Sequence, residues 1–189
     1  MFKILFATIL GATIFFAWNS FSWMVLPWHQ QTIKQLDNEE IVVKAITNNI
    51  NQDGIYLIPK QKYNTSLESI LPNPEISNFS NNKSHLAFIS FQSAENMTNM
   101  QDSMKYAYIN NIIVSLLIVT LLACTSELSY LARVFFIVMV GMTGALLGHV
   151  PNWIWWGFDS SYTIIMIADI TIGWFLAGLI MASLVGRQP

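Results

Sequence analysis

The chain has 189 residues, 53% hydrophobic and 11% charged, under half the ~25% charge of an ordinary soluble domain. Nine Lys and Arg against eleven Asp and Glu leave no basic surplus for nucleic acid. The single cysteine, Cys124, excludes an intrachain disulfide framework and any multi-thiolate zinc site.

Taken in chain order, the first apolar run covers residues 4–26, and at ~1.5 Å per residue it crosses a ~30 Å hydrocarbon core. It ends in the bulky stretch Trp23 to Trp28 rather than in the small residues of a signal-peptide cleavage site, so it reads as an uncleaved anchor. Runs at 108–125, 131–150 and 162–185 are also of spanning length. The fold class expected is therefore an all-α membrane protein: four transmembrane helices, with a small periplasmic α+β insertion between the first and second. Lys3, Arg133 and Arg187 fall on one side of this arrangement, which puts both termini in the cytoplasm by the positive-inside rule. Trp23, Trp28, Trp153, Trp155 and Trp156 then share the outer boundary, where indoles prefer to sit. Residues 151–161 form a Trp-rich interfacial loop whose 151–157 portion reads as a turn or partial helix. It is an aromatic anchor before it is a lipid or partner surface.

The insertion, residues 27–105, is polar and rich in Asn, Ser and Gln; at roughly 75 residues it is at the small end for an independent core. It is expected to lean on the membrane bundle or on a partner. Asp37 with Glu40 predicts a capped helix start, and Leu36 with Ile41 a hydrophobic staple. Val43, Ile46 and Ile50 continue at helical spacing, and Gly54 reads as the stop. Strands are expected over 55–58, ended by Pro59, and over 86–91, pairing with each other. Residues 64–84 between them have loop chemistry and are expected to be the most mobile stretch. In a eukaryotic source Asn64, Asn78, Asn82 and Asn96 would be glycosylation candidates. A second helix over 95–105 is expected to run on into the second span, with Met97, Met100 and Met104 on one face as gap-filling side chains rather than a metal cluster.

The stretch Trp18-Asn19-Ser20-Phe21-Ser22-Trp23-Met24-Val25-Leu26-Pro27-Trp28-His29, followed by Asp37 to Glu40 and by Gly54 to Pro59, resembles a family of small uncharacterised bacterial membrane proteins. The resemblance covers about a third of the chain. It implies a bacterial inner membrane and a periplasmic domain, and it carries no activity or ligand.

Ionisable groups inside a membrane are rare and costly, and Asp169 is the one that falls well within a predicted span. Counted inward from the outer boundary, Asn19, Ser115 and Thr143 reach a similar depth, so a polar layer around Asp169 is expected. Its plainer reading is an interhelical hydrogen bond; the sharper one is a proton or cation relay. His29, His149 and Asp159 end the first, third and fourth spans and form a weak metal candidate, since no helical spacing pairs them. His85 has no evident partner. Gly141 with Ala145, Gly144 with Gly148, and Gly173 with Ala177 permit close helix packing, within the chain or between copies. Cys124 reads as an ordinary buried thiol in the second span, with lipidation near the cytoplasmic end as the remoter alternative.

No phosphate loop, nucleophile elbow, zincin helix or dinucleotide fingerprint is present, so no cofactor is called for and the enzyme question leans towards no. The leading reading is an inner-membrane protein of partner binding or envelope assembly, acting through its periplasmic domain. Its partners are membrane lipids and a membrane or periplasmic protein or a second copy, with no nucleic acid. The alternatives are a small transporter or transporter subunit built around Asp169, and a metal-dependent enzyme at the membrane interface.

Overall fold

Within hydrocarbon no water satisfies backbone N–H and C=O groups, so a spanning apolar segment must bond to itself as a helix. The computed structural model describes residues 2–58, 86–125 and 128–185. Its elements are α1 (Phe2–Val25), α2 (Trp28–Thr32), α3 (Glu39–Asn49), β1 (Gly54–Ile58), β2 (Ala87–Phe91), α4 (Met100–Ala123), α5 (Tyr130–Trp156) and α6 (Ser160–Leu184). Among the described residues α1, α4, α5 and α6 are the four helices long and apolar enough to cross a membrane. The chain divides into a first unit of Met1–Gln35 with Thr98–Pro189 and a second of Leu36–Met97.

In the first unit α6 packs on both α1 and α5, α1 packs on α4, and α4 meets α5 only lightly. The helices form an arc in the order α5, α6, α1, α4. Contacts at matching levels show that α1 is antiparallel to its neighbours: Thr13 with Tyr108 and Ser115 with the Thr8 carbonyl on α4, and Phe15 with Trp174 and Trp18 with Asp169 on α6. Two predicted small-residue pairs serve this packing. A Cβ on Gly173 would stand 2.8 Å from Phe15 Cε2, and one on Gly141 would strike Trp174; Ala145 and Ala177 are buried. Gly144 and Gly148 differ, for a Cβ on either meets nothing within 4 Å. Cys124 is an exposed free thiol just past α4 rather than a buried one.

Several boundaries move for local reasons. The helix expected from residue 95 starts at Met100, because the Asn99 side chain caps it by accepting from the Asp102 N–H at 2.9 Å; it then continues as a single α4 into the span, as expected. The Trp-rich run after residue 150 is helical and continuous with α5, ending where Gly157 adopts φ 67°. Pro151 sits inside that helix and removes one ladder donor, while Asn152 donates its side-chain amide to the Gly148 carbonyl at 2.9 Å. Arg133 lies in the first turn of α5.

The second unit holds β1 and β2 as an antiparallel pair, Gly54 opposite Phe91 and Ile58 opposite Ala87. Asp53 clasps one end, accepting from the Ser93 N–H at 2.8 Å and the Asn96 amide at 2.6 Å. The capping box does not form: α3 starts after Asn38, which makes no side-chain cap bond, and Glu40 instead accepts from Lys44 at 2.7 Å across one helical turn. Leu36 and Ile41 are exposed rather than stapled. The helix stops at Asn49, and Gly54 opens the strand instead of ending the helix. Pro59, the loop 64–84, His85, Asn64, Asn78, Asn82 and Arg187 lie outside the described residues.

Candidate functional site: a buried histidine and aspartate

Pro27 follows the last turn of α1, and the chain turns back at once, the Gln31 N–H donating to the Pro27 carbonyl to open α2. This short helix packs on α6 and carries His29 into the unit, where the imidazole is fully buried. It is stacked on Trp23 at 4.0 Å between ring centres and edged by Trp28 at 5.6 Å. His29 Nε2 lies 3.0 Å from Ser22 Oγ and 3.3 Å from Asp169 Oδ2. The other side of the carboxylate is held by Trp18, whose indole N–H donates to Asp169 Oδ1 at 2.7 Å and to the Asp169 carbonyl at 3.0 Å. Trp28 donates to Ser22 Oγ at 2.9 Å. Three elements, α1, α2 and α6, thus enclose two ionisable groups and a hydroxyl with three indoles.

The proton on the imidazole can be placed. His29 Nδ1 is buried with no partner among the described residues. A buried N–H without an acceptor is far less tolerable than a bare lone pair, so in the neutral imidazole the proton belongs on Nε2, between Ser22 and Asp169. The trio is not a hydrolytic triad, because Ser22 and Asp169 approach the same ring nitrogen whereas a triad uses one nitrogen for each. Ser22 is also fully buried.

The polar layer of Asn19, Ser115 and Thr143 expected around Asp169 does not form. Ser115 is buried but donates to the Thr8 carbonyl beside Met181, twelve residues or ~18 Å along α6 from Asp169. Thr143 is exposed and bonds back to the Met139 carbonyl of its own helix at 2.8 Å. Asn19 makes no bond to Asp169, though both line one groove. Depth counted from hydropathy edges misplaces Ser115 because α4 begins well before its apolar run.

The expected metal trio does not assemble either: no group of three metal-ligating side chains exists among the described residues. Asp159 is the N-cap of α6, accepting from the Ser161 and Tyr162 N–H groups, and these bonds, with a smaller contribution from Lys34 4.0 Å away, hold its carboxyl below the usual range. His149 lies half-buried on α5. Of the predicted Trp belt, Trp153 donates to Ser160 Oγ at 2.9 Å and Trp155 is exposed, whereas Trp23 and Trp28 are walls of the histidine box. Trp156 is half-buried at the end of α5.

The light contact of α4 with α5 leaves a groove of about 910 Å³ lined by all four long helices. Asp169 lines it along with Asn19, Asn110 and Asn111, and Val114, Ile118 and Leu121 continue its wall along α4. Sequence reasoning missed His29 as the partner of Asp169. The available signal was Pro27, which ends a span and lets a residue just beyond it fold back.

Comparison with protein-family models, with curated proteins and with solved structures finds no match to this chain.

Proposed function

We propose that the protein is a small transporter or transporter subunit of a bacterial inner membrane, with both termini cytoplasmic and the Leu36–Met97 unit periplasmic, and that it works by proton exchange at His29 and Asp169. The observation that carries this reading is the 3.3 Å approach of two fully buried ionisable groups at a level where α6 is membrane-spanning in length and composition. Ionisable side chains at such depth are rare and costly, and they are found along ion pathways and proton relays. A change of protonation at either group alters the charge felt by the other, and Asp169 also lines the groove.

The test reads charge movement and needs no substrate. Proteoliposomes on a solid-supported membrane are given a pH jump, and the wild-type chain produces a transient displacement current. Asp169→Asn and His29→Gln, inserted at equal density, abolish it. Equal currents from all three proteins would remove the proposal.

A second reading, partner binding through the Leu36–Met97 unit, is supported by a different observation. No residue of α3 is buried, Ile55 and Ile58 of β1 are exposed, and among the described residues the sheet has two strands whose outer edges pair with no other strand, an arrangement that suits an added strand. Affinity purification of the full chain and of an Ile55→Lys variant tests it. An interaction lost in the variant supports the reading, and an unchanged set of co-purifying proteins counts against it.

A further inference from the structure

Asp169 is the one charged residue among those that line the groove between α4 and α5. The rest of the described wall is apolar or carries neutral amides and hydroxyls, with no Lys, Arg, His or Glu. With the imidazole neutral, the pair of His29 and Asp169 carries one negative charge. Both carboxylate oxygens are already engaged, Oδ1 by the Trp18 N–H and Oδ2 by His29 Nε2, and the residue is 1% exposed. It therefore acts on the groove through its charge more than as an acceptor. Away from bulk water such a charge is screened far less than at a surface, and a buried charge without a balancing one is costly. The groove calls for a cation.

The wall at the level of Asp169 narrows the kind of cation. Along α1, Trp23 lies five residues (~7.5 Å) to one side of Trp18 and Phe16 two residues (~3 Å) to the other, and both line the groove. Trp23 is 40% exposed although the imidazole covers one of its faces. On α4, the contacts of Tyr108 with Thr13 and of Ser115 with Thr8 set Met104 at about the level of Trp18, and Met104 and Met166 line the groove too. Aromatic faces attract cations, and thioethers are polarizable and adapt to shape. Room at the same level comes from α5: Gly141 meets Trp174 and Gly178 meets Ile137, which sets Gly144 about two residues (~3 Å) from the level of Asp169, where a Cβ meets nothing within 4 Å. The volume of about 910 Å³ lies within the ~300–1,000 Å³ range of small-ligand sites. A divalent or transition-metal ion finds too few ligands, since no group of three His, Cys, Asp or Glu able to hold one exists among the described residues. A zwitterionic lipid headgroup would leave its phosphate beside a carboxylate with no Lys or Arg to meet it.

We propose that the groove binds a lipophilic organic monocation of the quaternary or charge-delocalised kind, with Asp169 as its countercharge and Trp23, Phe16, Met104 and Met166 as its wall. Such a cation needs no hydrogen bond from the carboxylate. The assignment names a substrate class for the transporter reading, and it rests on that reading for the exchange: a proton taken up by either member of the pair removes the charge that holds the cation, so proton and cation exclude each other. The other ionisable groups on the surrounding elements are engaged elsewhere or stand off the groove. Asp159 caps α6 with Lys34 4.0 Å away, Lys105 of α4 is paired with Asp102 at 2.8 Å, His149 and Arg133 of α5 do not line the groove, and Lys3 is at the far end of α1.

The experiment measures binding of radiolabelled tetraphenylphosphonium to the purified full chain in neutral detergent, by equilibrium dialysis against matched empty micelles. Tetraphenylborate, of the same shape and opposite charge, is the control. Saturable binding of the phosphonium is expected, with none of the borate. Asp169→Asn weakens it at least about tenfold, the effect of removing one unit charge a few ångströms away at an effective dielectric constant of ~20. Gly144→Leu, which adds a side chain into open groove space, removes the binding. Gly148→Leu, one turn on, meets equally open space but does not line the groove, and it keeps wild-type binding. Circular dichroism confirms that each variant is folded, and the glycine pair decides the matter if Asp169→Asn is not. The proposal is overturned by equal saturable binding of the borate, by wild-type binding in folded Asp169→Asn, or by undiminished binding in Gly144→Leu. A pH-jump current without saturable phosphonium binding overturns the cation assignment and leaves proton exchange standing. Phosphonium binding without a pH-jump current supports the cation site and removes the exchange.

Discussion

Asp169→Asn tests the proton placement as well as the current. The Trp18 N–H, 2.7 Å from Oδ1, requires an oxygen at that position, so the new amide nitrogen must take the place of Oδ2, 3.3 Å from His29 Nε2. Two N–H donors would then face each other. The imidazole escapes by moving its proton to Nδ1, which is buried without an acceptor. An orphaned donor costs ~1–3 kcal/mol, and side-chain hydrogen bonds in membrane bundles average ~0.6 kcal/mol, so the expected loss is about 1–2 kcal/mol. Trp18→Phe removes the donor that fixes the introduced amide, letting that amide turn its oxygen towards Nε2. The double variant should therefore lose less than the sum of the singles by at least ~0.5 kcal/mol. Reversible unfolding in mixed micelles, followed by circular dichroism, supplies the cycle, and ¹⁵N shifts of the His29 ring report the tautomer. Additivity within ~0.3 kcal/mol, with the tautomer unchanged, would refute the placement of the proton on Nε2.

Three further outcomes follow from the geometry. Gly173→Val puts carbon against Phe15 and Trp18, where a Cβ already stands within 2.9 Å of each ring, and should cost about 1–3 kcal/mol of bundle stability in the same micelle assay; a neutral result would show that α1 and α6 are less closely packed. Asp159 is held below its ordinary value of 3.8 by the Tyr162 and Ser161 N–H groups, so its stabilisation of the α6 start is complete above that value and lost as pH falls through the lower folded one. Asp159→Asn, which keeps a capping oxygen, should flatten that acid limb, and an identical acid profile in variant and wild type counts against it. Asp53→Ala releases the Ser93 N–H and should speed amide exchange at Ser93 while leaving exchange in α4 unaltered; protected Ser93 in the variant would mean that the clasp contributes nothing.

Much of the architecture is legible in the residues, because hydrocarbon leaves the backbone few choices. The four spans follow from run length and hydropathy, and the pairing of two short apolar strands from their branched and aromatic content. The Asp37 capping box fails because Glu40 has a competing partner one turn away in Lys44, a contest that pattern matching does not weigh. Asp169 is identifiable as the unusual group from its depth alone.

Its partners are not. Trp18, Ser22, Trp23, Trp28 and His29 all stand in one short stretch, but five of twelve successive residues converging on a carboxylate 140 positions later depends on where Pro27 turns the chain and on the antiparallel approach of α1 to α6. Solvation along each segment is enough to specify four helices long and apolar enough to cross a membrane and to single out Asp169 as a group in need of a partner. That Asp169 meets His29 rather than Ser115 or Thr143, and that Gly144 faces a groove while Gly141 is packed, emerges only when the helices come together. Rotation and register of one helix against another are set by side-chain packing over the whole bundle, and no single segment encodes them.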